Sequence, residues 1–439
     1  MTLKKLVAPL AAAWVAAAAV VACGGTSAPV GGYPSGNTAT STADLVYGCN
    51  WLIESTFHNV NFAFPETNAV YWVAAIPDSL PSGDTIQISS TSATARYFSF
   101  EIYGQDGAAE SSDNDADIFG QSATPANAVA SGQSYTVSII SSATATASGT
   151  TLVNDPSRTN GQSPKHHWLL YRLYLPTNGA DSAANLPVLT YVKSDGTRIP
   201  LTQTPDQPSC NQILDNINEE LDGLGASSSS SSSSGGTATL KPAVKPPSMV
   251  AFISTTGTFE NLDVDYMYVE SNSTLGDMLI LRGQAPLFAT GPGTPQVRYW
   301  SVCSDTYHKP FAVVQCVDDQ QAILDSGGYF NVIVSVNTPP SGYASSFNYL
   351  PWGSDEFGEP IYRQLLADSS FTQSIKANKL SLLPSLTMGN YYPQSTYCQD
   401  SVFSANVAAG PAAVFSACKS SEGTGTVIDP GVPVPIQTN

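Results

Sequence analysis

The sequence predicts a mainly β protein built of two tandem, related antiparallel β-sandwich domains, each with a short C-terminal helix. Three observations predict it. Landmarks recur in the same order at a near-constant offset, short alternating segments are bounded by turn residues, and a polyserine stretch divides the chain near its middle.

The landmarks come in pairs. "AVYWVAAI" (69–76) faces "YMYVESN" (266–272), and "SGDTIQI" (82–88) faces "LGDMLIL" (275–281). "ARYFSF" (95–100) faces "VRYWSV" (297–302), and "GQSYTVSII" (132–140) faces "GGYFNVIVS" (327–335). Tyr71 and Tyr266 stand 195 residues apart, Asp84 and Asp277 193, Arg96 and Arg298 202, Tyr135 and Tyr329 194. Four landmarks in one order are the mark of an internal repeat. Each has strand character. In "RYFSFEIY" Tyr97, Ser99 and Glu101 alternate with Phe98, Phe100 and Ile102, the two-residue period of a half-buried strand. "HWLLYRLYLP" (167–176) and "LPVLTYVKSDGTRIPL" (186–201) read as further strands, the latter with a hairpin signal at Asp195-Gly196. Short strands between Gly, Pro and Asn turns point to sandwiches.

Each half is expected to close with a helix. In "NQILDNINEELDGLG" (211–225), Ile213, Leu214, Ile217, Leu221 and Leu224 fall on one face. "EPIYRQLLADSSFTQSIKAN" (359–378) places Ile361, Leu365, Phe371 and Ile375 likewise, with Pro360 in the first turn. The expected organisation is a signal peptide over 1–22, a tether over 23–44, sandwiches over 45–225 and 248–420, a linker over 226–247 and a disordered tail over 421–439. The tether and linker lack the large apolar side chains needed to offset ordering entropy.

At the N-terminus, Lys4 and Lys5 precede an apolar run from Leu10 to Val21, too short to remain as a membrane span. "VVAC" (20–23) follows and resembles the bacterial lipobox. That resemblance implies cleavage before Cys23 and acylation of Cys23, hence a firm membrane anchor when several chains are attached. The alternative is an ordinary signal peptide. Residue 24 is Gly rather than the Asp that resembles an inner-membrane retention signal, so the expected site is the outer membrane, facing the periplasm or the surface. The polyserine stretch resembles the linkers that join modules of secreted polysaccharide-degrading enzymes, which bears on the linker alone. Asn68 through "YW", then Gly-Asp before a strand, then Arg-Tyr-aromatic, resembles a family of uncharacterised β-rich domains in exported bacterial proteins. That resemblance implies a fold and supplies no catalytic residues.

The chain carries 17 basic and 35 acidic residues, a net charge of −18, and loss of Lys4 and Lys5 would make it −20. Phosphate contacts need Lys and Arg clusters, so nucleic acid is not an expected partner. Cys23 aside, Cys49, Cys210, Cys303, Cys316, Cys398 and Cys418 are an even set, expected as disulfides in an oxidising compartment. The pairing suggested is nested: Cys49–Cys210, Cys303–Cys316 and Cys398–Cys418. The competing reading, metal ligation, finds no C-x-x-C pair or zinc spacing.

No catalytic motif stands out. Arg96 and Arg298 could each hold a ligand carboxylate or sugar hydroxyls; their recurrence in both halves favours a structural role. Asp113, Asp115 and Asp117 alternate as calcium ligands can, although Ile118 stands where the EF-hand pattern needs Gly. No other cofactor is expected. His166 and His167 would point to opposite faces of a strand. Asp355, Glu356 and Glu359, near Trp352, are the candidate carboxylates for glycoside hydrolysis. The most suggestive feature is aromatic loops. Tyr349 and Trp352 in "NYLPWGSDEFGEP" (348–360), with Tyr391, Tyr392 and Tyr397 in "GNYYPQSTYCQD" (389–400), sit among loop residues and could stack on sugars or anchor a protein. The expected function is therefore a non-catalytic, outer-membrane-anchored lipoprotein that binds a glycan or an envelope protein through these loops. The alternatives are a hydrolase acting on carbohydrate and a purely structural envelope protein.

Overall fold

In a computed structural model, residues 50–201 and 246–422 are described, apart from 105–106, 122–124, 126–129, 159–164, 178, 180, 253–258 and 309, together with Ile213. Cys23, Cys49, Cys210, the tether, the linker and nearly all of the expected helix over 211–225 lie outside these residues. Ile213 is buried beside Ala75.

The first half has ten strands: β1 (Ile53–Ser55), β2 (Ala69–Pro77), β3 (Thr85–Thr91), β4 (Tyr97–Tyr103), β5 (Ala109–Asn114), β6 (Ser134–Ser141), β7 (Thr151–Asn154), β8 (His166–Tyr174), β9 (Val188–Val192) and β10 (Arg198–Pro200). They form two sheets, in the orders β1-β2-β8-β4-β5 and β10-β9-β3-β6-β7. A short helical turn, α1 (Asp115–Ile118), follows β5. Inward residues of both sheets make one core, with Trp72, Phe98, Phe100 and Tyr171 meeting Ile88, Val137, Ile139 and Leu189.

The second half has β11 (Val250–Ala251), β12 (Val264–Tyr268), β13 (Ser271–Asn272), β14 (Met278–Gln284), β15 (Tyr299–Asp305), β16 (Val313–Asp318), β17 (Tyr329–Ser335), β18 (Asn348–Pro351), β19 (Phe357–Gly358), β20 (Ile361–Leu365) and β21 (Gln394–Cys398). Their sheets run β11-β12-β20-β15-β16 and β18-β17-β14-β21, with β13-β19 as a small ribbon. The strand order repeats that of the first half: β2-β8-β4-β5 answers β12-β20-β15-β16, and β9-β3-β6-β7 answers β21-β14-β17-β18. The sandwiches are not wholly antiparallel, because β6–β7 and β17–β18 are parallel pairs.

The Gly-Asp landmark now has a physical cause. A Cβ on Gly83 would sit 3.0 Å from the Cβ of Ser194, and one on Gly276 2.9 Å from that of Tyr397, so the neighbouring strand leaves no room for a side chain. The following Asp accepts the amide that leaves this strand, Ser194 N–H on Asp84 and Asp400 N–H on Asp277, both at 2.8 Å.

Two expectations are corrected. Ile86 pairs with Ile139 and Leu279 with Val334, so Tyr135 answers Phe330 and not Tyr329. The period of two makes this one-residue slip a change of face: Tyr135 and Phe330 point into the cores, while Tyr329 points away. The segment 359–378 is not one helix, and only its last four residues are helical. Ile361–Leu365 is β20, the strand between β12 and β15. "YRLYL" (171–175) and "YRQLL" (362–366) are a fifth landmark, and strand pairing on both sides outweighs the helical spacing. The closing helices are α2 (Ile375–Asn378), α3 (Pro384–Thr387), α4 (Asp400–Asn406) and α5 (Pro411–Ser421). The α5 helix is tied to β21 by Cys398–Cys418, and Cys303–Cys316 links β15 to β16, two of the three pairs of the nested pairing.

The halves do not hang in series. The described residues of both halves form one compact unit, in which sheet β1-β2-β8-β4-β5 lies against sheet β11-β12-β20-β15-β16. Tyr71, Tyr97 and Tyr174 pack with Val264, Tyr299 and Leu365 across the junction. The two landmark arginines exchange partners there. Arg96 bonds Asp319 at 2.5 Å, and Arg298 bonds Asp115 at 2.9 and 3.2 Å. The neighbouring tyrosines do the same, Tyr97 donating to Asp263 at 2.7 Å and Tyr299 to Glu66 at 2.5 Å. Arg172 reaches the carbonyl of Phe259, and Arg363 that of Phe64, each at 2.9 Å. Both phenylalanines hold left-handed backbone, φ 51° and 56°, a conformation that costs a non-glycine residue energy and here aims each carbonyl at its arginine.

Truncating one member of such a pair strands a buried charge. Arg298→Ala should therefore lower unfolding free energy by ~3–5 kcal/mol in urea titrations. A loss below ~1 kcal/mol would show that the exchanged pairs do not hold the halves together.

Candidate functional site

The aromatic rings expected to face solvent are largely core. Trp352, Tyr392 and Tyr397 are buried among Trp300, Phe330 and Tyr362, and Tyr349 and Tyr391 are half-buried. The Tyr392 hydroxyl donates to Met249 O at 2.7 Å, and the Tyr397 hydroxyl accepts from Asn272 N–H at 3.0 Å. Burial pushes the Tyr397 phenol up to about 12. The Gly, Pro and Asn around these rings correctly mark chain reversals. Residue type alone does not say on which side of a reversal the ring falls.

The candidate carboxylates diverge. Asp355 lies 3.6 Å from His308, and Glu356 accepts from Asn272 Nδ2 at 2.8 Å. Glu359 turns elsewhere, toward Asp305 and Arg363. Around Arg363 stand Glu66, at 3.7 Å from its Nε, and Asp305, whose two carboxylate oxygens are buried with no hydrogen-bond partner. Burial pushes Asp305 up to about 8 against the pull of Arg363. Burial, with the charges of Asp305 and Glu270 added, pushes Glu359 up to about 8. Glu66 is raised by burial too, opposed by Arg363.

This cluster is where the halves differ. In the first half Arg172 bonds Glu101 at 2.6 Å and the Tyr103 hydroxyl. Register places Cys303 where Glu101 stands and Asp305 where Tyr103 stands. The second half thus has a disulfide cysteine where the first has an acid, and an acid two residues further along the strand. Comparing the "RYFSFEIY" and "RYWSVCSD" stretches position by position would have found this substitution.

The suggested calcium ligands also separate. Asp115 is committed to Arg298, and Asn114 caps α1 by accepting from Ala116 N–H and Asp117 N–H. Asp113 lies in β5 opposite Phe100, with burial pushing it up to about 7. Among the described residues, the group of three metal-type ligands whose atoms converge within 4.8 Å is Glu66, Cys303 and Cys316, and its sulfurs are already joined to each other. Arg96 and Arg298 are structural, each holding a carboxylate of the other half.

An open cleft of about 260 Å³ lies instead on the outer face of the β18-β17-β14-β21 sheet, lined by Arg282, Tyr329, Asn390, Gln394 and Phe415. Its origin is local. Met278 and Ile280 on this face are covered by Phe403, Val414 and Phe415 of α4 and α5. The next outward residue, Arg282, lies beyond that cover and opposite Asn331 and Gln394 in the ladder. Its guanidinium sits 4.3 Å from the centre of the Tyr329 ring and bonds Asp325 at 2.6 Å. Burial raises the Asp325 carboxyl, but the Arg282 bond and the amides of Tyr329 and Gly327 outweigh it and hold the group ionised. Gln394 accepts from Lys419 at 3.1 Å. A guanidinium, two amides and two rings in one cleft can hydrogen-bond and stack with a polyhydroxylated ligand. The sequence reading missed these residues; the two-residue spacing that puts Arg282 on the face of Met278 and Ile280, away from Leu279 and Leu281, was the available signal.

No family model matches the chain, and no curated protein matches it. Among solved structures, an uncharacterised protein from Burkholderia cenocepacia is similar at 11% identity, with 81% of this chain and 83% of that chain covered and a TM-score of 0.48. A Vibrio parahaemolyticus protein is similar at 12% identity, with 75% of this chain and 89% of that chain covered and a TM-score of 0.37.

The buried acids set a pH dependence. Asp305 titrates near 8 folded and near ~3.9 unfolded, so folding takes up a proton between these values. Its contribution is complete in acid and is lost as pH rises through about 8. The melting temperature should fall from pH 5 to pH 8.5, and Asp305→Asn should flatten that fall and melt above the parent at pH 8.5. Calorimetry across this range that finds the same slope in both proteins would refute the assignment.

Proposed function

We propose that the chain is an exported, lipid-anchored, non-catalytic envelope protein that binds a glycan at the Arg282 cleft. The observation that carries the binding reading is the convergence of Arg282, Asn390 and Gln394 with the Tyr329 and Phe415 rings in one open cleft. Export and anchoring are supported by the "VVAC" run ending at Cys23 and by two disulfides in a chain rich in Ser, Thr and Gly. The residue after Cys23 favours the outer membrane. The hydrolase reading loses its motive, since Asp355 and Glu356 turn to separate partners and the Asp305 carboxylate is sealed. A purely structural envelope role is favoured by the locked junction of the two halves, and it becomes the reading if the cleft proves empty of glycan partners.

The test is a glycan array probed with the chain from Gly24 onward. Binding to at least one glycan class is expected, and Asn390→Ala combined with Gln394→Ala should weaken it about tenfold, at ~0.5–1.5 kcal/mol per hydrogen bond. No bound glycan, or binding indifferent to the double variant, would remove this reading. In cells of the source organism, Cys23→Ser should shift the chain from the detergent phase to the aqueous phase. Unchanged detergent partition would remove the anchor.

A further inference from the structure

Between β20 and β21 the chain leaves the second sandwich and returns. The stem is fixed. Phe371, Ile375 and Met388 are buried in the core, Gln373 Nε2 donates to Met388 O at 3.1 Å, and Asn378 Nδ2 donates to Thr372 O and Ser374 O at 2.8 and 2.7 Å. The tip carried by this stem is "KLSLLPSLT" (379–387). Its four leucines are exposed to an unusual degree: Leu380 79%, Leu382 97%, Leu383 58% and Leu386 74%. Leucine in a folded protein is ordinarily buried, and single exposed cases need no explanation. Four within seven residues, on a stem ordered by buried rings and side-chain bonds, form one apolar protrusion.

Its surroundings are as unusual. The chain has 35 acidic residues, yet none lies between Ser369 and Gln399. The charged residues of that stretch are Lys376 and Lys379, both exposed at the base of the tip. Lys379 lies 3.1 Å from Asp265, so part of its charge is answered locally. An apolar tip with lysines at its base and no acid in its own stretch of chain matches a bilayer interface, where leucines enter the acyl boundary and lysines meet anionic headgroups. Leu382 at 97% exposure projects outward, and a fluid acyl layer accepts such a shape without a matching groove.

We propose that the Leu380–Leu386 tip is a membrane-surface insertion element for anionic lipid. The proposal stands without Cys23 acylation and without the glycan cleft. The described residues begin at Asn50, so a chain from Gly24 onward retains all of them and carries neither Cys23 nor the apolar segment before it. That chain is mixed with vesicles of phosphatidylglycerol and phosphatidylcholine, or of phosphatidylcholine alone, and sedimented. Binding to the anionic vesicles is expected, weaker by about tenfold on the zwitterionic ones and in high salt. Leu382→Ser with Leu386→Ser should weaken it by about a hundredfold, near tenfold per leucine. Lys376→Gln with Lys379→Gln should cost about tenfold or more. In a separate Leu382→Trp variant, vesicles should shift the added fluorescence to the blue, a readout that a misfolded serine variant would not mimic. Equal partition of parent and serine variant, or no blue shift at lipid concentrations that bind the parent, overturns the proposal. Concentration-dependent dimerisation lost in the serine variant, without vesicle binding, also overturns it and assigns the tip to a second copy of the chain.

Discussion

The junction of the two sandwiches depends on an exchange of buried ions: Arg96 holds Asp319, and Arg298 holds Asp115. Each half keeps an arginine whose carboxylate partner comes from the opposite half. Withdrawing these groups from water is costly, and the cost is offset only when the opposite half is in place to complete the bonds. The exchange therefore does more than add contact area. It makes separation of the halves equivalent to exposing or stranding several charges at once.

The surrounding groups follow the same logic. Tyr97 and Tyr299 donate across the junction, and Arg172 and Arg363 grip backbone carbonyls of the opposite half. The crossing segments before β2 and β12 hold a left-handed phenylalanine each, and the arginine bond and ring contacts at Phe64–Phe311 and Phe259–Tyr103 hold them there. Two copies of one strand order thus behave as a single body. Their polar residues are spent on each other, which leaves the outer faces for binding. On one such face the helical cover ends at Arg282 and a cleft opens. On another, the connection between β20 and β21 projects leucines into solvent.

The halves diverge where symmetry would have placed a second Glu–Arg pair. Cys303 takes the position of Glu101, and Asp305, two residues on, supplies the charge near Arg363 without completing its hydrogen bonds. A covalent bond between β15 and β16 stands where an ionic one would have been. Burial pushes this acid up to about 8 against the pull of Arg363.

Much of this was legible in the residues, and the failures are instructive. Strand alternation in "RYFSFEIY" and the repeated Gly-Asp and Arg-Tyr landmarks follow from neighbours along the chain. The slip of Tyr329 against Phe330 and the helical reading of 359–378 arose because one window fits two periods, and only pairing on both sides decided between them. The rings of Trp352, Tyr392 and Tyr397 looked like a binding surface until the turns that carry them were seen to fold inward. By itself the sequence determined that the chain is rich in strands and that four landmarks recur in one order, because both are written in local periodicity. Whether the two halves stand apart or lock together was decided by tertiary structure alone. Arg96 and Asp319 are 223 residues apart, and no local pattern distinguishes an arginine that meets solvent from one that meets the other half.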